Sequence, residues 1–236
     1  MTTTIPALSP GERVGRLTGR LITPLQQGYL KDQSHAVGAL ARLRRGAGKD
    51  FARTPDLWGL YDTGPLHESP DGVRPLGEAE LVRAEDAVHV ALTLWALHQQ
   101  SRGTGMHRAG TRTAPQALGT AVRRLMPPGD IDEPVRKRFV RAGNAPDLPA
   151  VAQRLREIVV LLRGADVPLD YALLAEQLYR WQEPGGPDDV RRAWGLSFHA
   201  HVPRPPRAGT TGAAPVAAGA AAAADDTTDL MDKDAS

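Results

Sequence analysis

The sequence contains no cysteine, which excludes disulfide bonds, thiol chemistry and zinc sites built on cysteine ligands. It has no long hydrophobic run either. The longest nearly apolar stretch, Ala87 to Leu97, has 11 residues, too few to cross a bilayer. The N-terminal residues lack the apolar centre of a signal peptide. We therefore expect a cytoplasmic protein that does not contact a membrane.

Sequence motifs of catalysis are missing as well. There is no Gly-x-Ser-x-Gly, no His-Glu-x-x-His and no spaced cluster of carboxylates. The stretch RRGAGKD resembles a phosphate-binding loop, but Leu43 and Asp50 stand where that motif requires glycine and serine or threonine. We predict that the chain is not an enzyme and uses no cofactor.

A metal site is also not expected, although one spacing suggests it. Asp86 and His89 are spaced like half of a di-metal carboxylate site in a helical bundle, and no second copy of that spacing occurs. Glu85 and His89 are four residues apart and could pair across one helical turn. An enzyme whose site is built on Glu85, Asp86 and His89 remains a third hypothesis, which bound metal or loss of activity in His89→Ala would support.

No segment shows the strict alternation of apolar and polar residues that is typical of a β-strand, whereas apolar residues three and four positions apart, as in helices, recur along the chain. We predict an all-α fold of two small helical bundles joined by a basic loop-and-helix segment. The longest helix is predicted at 78–100 and is nearly apolar from Ala87 to Leu97, which is typical of a helix buried on almost all sides. The other predicted helices lie at about 12–30 (interrupted at Pro24), 34–45, 115–126, 132–142, 148–164, 171–181 and from Pro187 to about 198. A single helical turn is predicted at 54–61, with Leu57, Trp58 and Leu60 in the core.

Three regions are expected along the chain. Residues 1–105 would form an N-terminal helical lobe around the helix at 78–100. Residues 106–202 would form a C-terminal bundle with a basic surface. Residues 203–236 are rich in proline, glycine and alanine and end in an acidic stretch, a composition typical of a disordered tail.

Positive charge is concentrated in two places. Between Arg102 and Arg141 nine basic residues face three acids, a local net charge of +6 in a chain whose formal net charge is +2. A second cluster lies at and after the end of the helix predicted at 34–45 and consists of Arg42, Arg44, Arg45, Lys49 and Arg53. Such clustering is the electrostatic footprint of a site for a polyanion. The candidate nucleic-acid-binding residues are Arg42, Arg44, Arg45, Lys49, Arg102, Arg108, Arg112, Arg123, Arg124, Arg136, Lys137, Arg138 and Arg141.

An ordinary solvated, arginine-rich helix face is the alternative interpretation of each cluster. The abundance of arginine over lysine carries no weight, because a GC-rich genome produces it. Aromatic residues are only 5% of the chain, and only Phe51 and Phe139 lie near the clusters. This scarcity favours contacts with a nucleic-acid backbone over contacts with bases.

Several segments together resemble one family. They are ALARLRRGAGKD (39–50), PDLWGLY (55–61), LGTAVRRL (118–125), RFVRAG (138–143), LREIVVLLRGADVPLDYALLAEQLYRW (155–181) and VRRAWGLSFH (190–199). In this order they are similar to the small subunit of the type I-E CRISPR Cascade complex, over about residues 30–200.

The resemblance implies an all-helical, non-catalytic subunit that sits as a pair along an RNA-guided surveillance complex. It implies partners as well: other Cascade subunits, the guide RNA with its target DNA strand, and the displaced non-target strand of the R-loop. The basic positions that match the family are Arg44, Arg45, Arg124, Arg138 and Arg141. At Pro134 and Val135 this chain is apolar where the family tends to be basic.

A second hypothesis belongs to another class. The chain could be a helical protein–protein scaffold whose basic faces meet an acidic partner. Salt and generic polyanions should abolish nucleic-acid binding, whereas docking through an apolar surface should survive salt.

Overall fold

The computed structural model describes residues 8–49, 51–68, 74–111 and 116–200. Within these residues the fold is all-α, as predicted, with no β-strand. Short 3-10 turns occur at Arg44–Gly46, Phe51–Arg53 and Pro55–Leu57. The α-helices are α1 (Pro10–Leu30), α2 (Ser34–Leu43), α3 (Gly64–His67), α4 (Glu78–Gln99), α5 (Leu118–Arg123), α6 (Glu133–Gly143), α7 (Leu148–Gly164), α8 (Tyr171–Trp181) and α9 (Gly186–Ala200).

Helix α4 is the centre of the fold. Every residue from Ala87 to Gln99 is buried, which confirms the prediction made from its nearly apolar sequence. Helices α1, α2, α7 and α8 all pack against it. Burial of this side-chain surface is the main stabilising contribution to the fold, at about 25 cal/mol per Å² of apolar area removed from water.

Two glycines allow pairs of helices to approach closely. A Cβ atom at Gly15 of α1 would lie 2.9 Å from the carbonyl oxygen of Ala172 in α8. A Cβ atom at Gly119 of α5 would overlap the carbonyl oxygen of Trp194 in α9. Each contact therefore requires a residue without a side chain at that position.

Acidic and hydroxyl side chains begin several helices. Ser9 and Glu12 form a capping box at α1. Asp132 accepts a hydrogen bond from the Val135 amide at α6, and Asp147 accepts one from the Ala150 amide at α7. Asp132 and Asp147 thus mark where two of the predicted helices begin. These interactions satisfy backbone donors that the first turn of a helix leaves unpaired.

Three local predictions were wrong. Helix α1 continues through Pro24 instead of breaking there. Proline has no backbone N–H, so the carbonyl oxygen of Arg20 loses its helical hydrogen bond. Arg20 and Pro24 both lie on the exposed side of the helix, where water can donate to that carbonyl. Trp58 was expected in the core but is 57% exposed, packed beside Phe51, because the 3-10 turn ends at Leu57 and the backbone then becomes extended. Helix α5 begins at Leu118 and ends at Arg123, so it is shorter than the predicted 115–126.

One connected core contains buried side chains from each of the α-helices α1 to α9. The expected division into lobes at about residue 105 stays a prediction. The expected tail at 203–236 lies outside the described residues. No helix in the described part of the chain is long and apolar enough to cross a membrane.

Candidate nucleic-acid interface

The basic cluster predicted near residues 42–49 lies at the C-terminal end of α2 and is called the first basic group below. Arg42, Arg44 and Arg45 are exposed on the last turn of the helix and the 3-10 turn that follows, and Lys49 is exposed just beyond. Arg42 donates a 2.9 Å hydrogen bond to the carbonyl oxygen of Asp56. This contact fixes the end of the Arg42 side chain against the neighbouring turn.

The backbone of this cluster is anchored to α7. Gly48 has a φ of +80°, and its carbonyl oxygen accepts a hydrogen bond from the side chain of Gln153. Lys49 and Arg53 line a cleft of about 650 Å³ together with the first turns of α7. The tight turn at Gly48 therefore directs these basic side chains toward α7.

The loop after α4 is held by two glutamines. The buried amide of Gln99 donates to the carbonyl oxygens of Arg102 and Thr104 and accepts from the Met106 amide. Gln26 of α1 accepts from the backbone amide of His107 and donates to its carbonyl oxygen, at 2.8 and 3.0 Å. A loop rich in glycine and threonine is thus fixed from within by side-chain amides.

Two of the predicted binding residues extend from this loop. Arg102 forms an ion pair with Asp166 at 2.9 Å, and the exposed Arg108 shares with them a cleft of about 600 Å³. The backbone amide of Arg108 donates to Leu169, which fixes where its side chain begins. Arg112 lies outside the described residues.

The neighbouring pair Arg123 and Arg124 have different roles. Arg123 is only 8% exposed and donates to the carbonyl oxygen of Pro127, so it closes the end of α5 and is poorly placed to reach a phosphate. Arg124 is half-buried and donates to Gln116 at 2.7 Å. Burial lowers the pKa of Arg124, and the nearby charge of Arg108 lowers it further. The fold therefore brings Arg108 and Arg124 together although they are distant in sequence.

The residues near the loop after α4, Arg102, Arg108, Arg123 and Arg124, form the second basic group, and the third lies on α6. Arg136, Lys137, Arg138 and Arg141 are all exposed. Arg136 forms a bidentate ion pair with Glu133, with both hydrogen bonds at 2.9 Å, and Arg138 donates to the carbonyl oxygen of Pro134. An exposed pair such as Arg136 with Glu133 is worth at most about 1 kcal/mol, so a phosphate could displace it.

Acids that could neutralise these groups are largely engaged elsewhere. Some begin helices and others form ion pairs with arginines away from the clusters, as Glu80 does with Arg74 and Asp189 with Arg180. In the described chain, some exposed basic side chains make no hydrogen bond or ion pair: Arg44, Lys49, Arg108 and Arg141. They are therefore available to an external anion.

Sequence reasoning missed one neighbour of the first basic group. The exposed Arg156 of α7 brings its aliphatic stem beside Gly48, next to Lys49. The signal was present, because Arg156 follows Leu155 and falls outside the apolar stripe of an amphipathic helix.

Two of the three candidate metal residues have other partners. Glu85 accepts from Thr63 and pairs with His67, each at 3.2 Å, and no hydrogen bond joins it to His89 among the residues that the structure describes. His89 is fully buried, with its Nδ1 atom 3.1 Å from the Tyr61 hydroxyl. No cluster of three or more acids and histidines suited to a metal ion occurs among the residues that the structure describes.

These features define a class: an all-α protein that presents basic groups on a rigid helical support. Comparison with known families identifies it further. The family described as CRISPR-associated protein Cse2 matches residues 39–199. The chain belongs to the Cse2 family.

Solved structures support this assignment. The chain is 49% identical to CasB from Thermobifida fusca, with a TM-score of 0.70, covering 82% of this chain and 99% of that one. A Cse2-family CRISPR-associated protein from Thermus thermophilus shares 23% identity and has a TM-score of 0.54, with 82% and 100% covered. A chain of a CRISPR RNA-guided surveillance complex shares 18% identity and has a TM-score of 0.51, with 79% and 94% covered. The last two show similarity of fold. No curated protein matches the chain significantly.

Proposed function

We propose that this protein is the non-catalytic small subunit of a type I-E CRISPR surveillance complex and binds nucleic-acid backbone. The family assignment and the similarity to CasB support the place in the complex. In this role it self-associates as a pair, contacts other subunits, supports pairing between guide RNA and target strand, and stabilises the displaced strand of the R-loop in antiviral defence.

The proposal depends most on one observation: several exposed basic side chains have no hydrogen-bond or ion-pair partner in the described chain. Arg44, Arg108 and Arg141 come from the three separate basic groups, and none is neutralised within the described chain. Guanidinium groups bind phosphate oxygens in a fork geometry and carry no information about base sequence. This suits a complex in which base pairing determines sequence specificity and protein holds the backbone.

Not every predicted residue takes part equally. The exposed members of the three groups and the half-buried Arg124 contact phosphate directly, whereas Arg123 supports the end of α5 and Arg102 fixes the loop through Asp166. We assign the direct contacts to Arg42, Arg44, Arg45, Lys49, Arg108, Arg124, Lys137, Arg138 and Arg141, with Arg136 joining after release from Glu133.

A charge-matched comparison tests the proposal. The triple variant Arg44→Ala, Arg108→Ala, Arg141→Ala should bind fluorescein-labelled single-stranded DNA and RNA at least tenfold more weakly than wild type in anisotropy titrations, since each lost phosphate contact is worth roughly 1 kcal/mol or more. The control variant Lys31→Ala, Arg74→Ala, Arg180→Ala removes the same formal charge from outside the three groups and should bind nearly as wild type.

Equal weakening in both triple variants would show that only net charge matters and would contradict a defined binding surface. If the wild type bound no nucleic acid but associated with an acidic partner protein in high salt, the scaffold hypothesis would replace this proposal. Circular dichroism of each variant checks that the helices remain folded.

A further inference from the structure

A groove between α6 and α9 lies beside the third basic group. Its floor is aromatic: the ring of Phe139 stacks on Phe198, with centroids 5.5 Å apart, and lies 6.2 Å from Trp194. Trp194 and Phe198 are buried, whereas Phe139 is half-buried and Val140 is 45% exposed. The groove therefore offers an accessible apolar face on an otherwise charged helix.

Cations stand at both ends of this groove. Arg191 donates to the carbonyl oxygen of Gly143 at 3.2 Å, while Phe139 packs on Trp194 and Phe198. These contacts make α6 and α9 antiparallel, so Arg136 lies at the other end, near His199. The distance along α6 from Arg136 to Gly143 is about 10 Å, from a rise of about 1.5 Å per residue.

The sides of the groove are basic as well. Lys137 follows the lining residue Arg136 by one position on α6, so it lies about 100° around the helix from it, beside the groove, and is exposed. Arg192 holds the equivalent position next to Arg191 on α9 and is exposed. No acidic residue lines the groove among the residues that the structure describes. Glu133 and Asp188 contact its terminal arginines from outside.

Size limits what the groove can accept. Its volume of about 300 Å³ is at the lower end of the range for ligand sites, roughly 300–1,000 Å³. That space suits one planar ring system better than a segment of a partner protein. An aromatic floor with flanking cations is the arrangement by which proteins bind single-stranded nucleic acid without sequence preference, because every base has a π face.

We infer that the α6–α9 groove is a stacking site for one unpaired nucleobase, with Phe139 as the stacking ring and the flanking cations on the adjoining phosphates. This inference rests on the proposed function and adds a base contact to a surface otherwise expected to hold backbone alone. Because the stacking is sequence-tolerant, the site selects single-stranded over paired nucleic acid and not one base over another.

Two ligands separate this inference from the proposed function. One is a fluorescein-labelled oligothymidylate on the order of ten nucleotides, within the usual footprint of a single-strand-binding surface. The other has the same sugar–phosphate chain with abasic residues throughout. A backbone clamp binds both equally. The stacking site should make wild type bind the oligothymidylate about 5-fold more tightly or better, the effect of stacking one base.

Two variants localise the effect. Phe139→Leu keeps an apolar side chain but removes the ring, so it should lose the preference for the base-bearing strand and retain binding to the abasic strand. Val140→Glu places a negative charge at the exposed edge of the groove without disturbing the core, and should weaken binding of both strands. Val160→Glu, at an exposed valine of α7, is the matched control and should not.

Each remaining outcome decides against the inference. Equal affinity of wild type for both strands, or an undiminished preference in Phe139→Leu, would overturn the stacking site and leave the backbone clamp standing. Absence of binding to either strand would overturn both. If Phe139→Leu bound nucleic acid normally but failed to assemble with partner subunits, the groove would be a protein contact.

Discussion

Individual residues in this fold are constrained by close contact more than by charge. Gly119 sits where α5 meets the backbone of α9, with no room for a Cβ atom. Arg123 is buried although its neighbour Arg124 is half-exposed, because it closes the end of α5. A sequence alone does not distinguish these two arginines, since both carry the same charge in one short helix.

A glycine substitution tests this packing. Gly119→Ala would place a Cβ atom on the Trp194 carbonyl oxygen, so it should destabilise the fold by about 1–3 kcal/mol or more through overpacking. Gly38→Ala lies in α2 with no atom near the new methyl group and should stabilise by about 0.5–1 kcal/mol. Urea unfolding measures both. Similar effects of the two substitutions would contradict the close approach of α5 to α9.

A buried histidine predicts how stability depends on pH. The ring of His98 is buried with Nδ1 2.9 Å from the Tyr171 hydroxyl, and burial lowers its pKa to about 4. At pH values between the folded pKa of about 4 and the unfolded pKa near 6.5, the unfolded chain binds more protons than the folded chain. Stability is therefore complete above pH 6.5 and falls with pH below it, by about 2 kcal/mol between pH 7 and pH 5.

Unfolding in urea at pH 7 and pH 5 measures this loss. His98→Gln removes the titrating group, so its stability should fall by about 2 kcal/mol less than that of wild type over the same interval. His107, whose pKa burial also lowers, remains in both proteins and contributes equally. Identical losses in wild type and variant would mean that folding does not lower the pKa of His98.

At the scale of secondary-structure elements, the positions of the helices could be predicted well, but the conformations of the loops between them could not. Periodicity located α4, α7 and α8, and the caps at Asp132 and Asp147 fixed where two helices begin. The path through Pro24 could not be predicted, because packing of α1 on its neighbours outweighs one lost hydrogen bond. Nor could the ordered loop after α4, whose anchors Gln26 and Gln99 lie on separate helices and have no local signature.

Removing the side-chain amide of Gln99 tests whether it holds the loop after α4. In Gln99→Leu the carbonyl oxygens of Arg102 and Thr104 and the amide of Met106 lose their partner. The Met106 amide is buried, and an unsatisfied buried group costs roughly 1–3 kcal/mol. We expect faster hydrogen exchange at Met106 and weaker nucleic-acid binding, because Arg108 is no longer positioned. Glu157→Leu, at an exposed site on α7, is a control that should change neither. Unaltered exchange at Met106 would show that Gln99 does not hold the loop.

At the scale of the whole molecule, charge is distributed unevenly. The formal net charge is only +2, yet exposed arginines and lysines lie together in the three basic groups. Acidic residues instead cap helices or form ion pairs outside these groups. The sequence predicted this clustering. That these groups bind nucleic acid, which the family resemblance implies, stays a prediction. The sequence did not predict the α6–α9 groove, because a groove depends on how two helices separated by more than 40 residues lie together.

The salt dependence of binding tests the central claim most directly. Titration of wild type with labelled single-stranded DNA at several salt concentrations gives the slope of log affinity against log salt. If about six phosphates are contacted, each adding roughly 0.7–0.9, the slope should be about −4 to −5, and about 2 units shallower in the Arg44, Arg108, Arg141→Ala variant. An affinity that does not change with salt, or a slope unaltered in that variant, would contradict a phosphate-binding surface built from these residues.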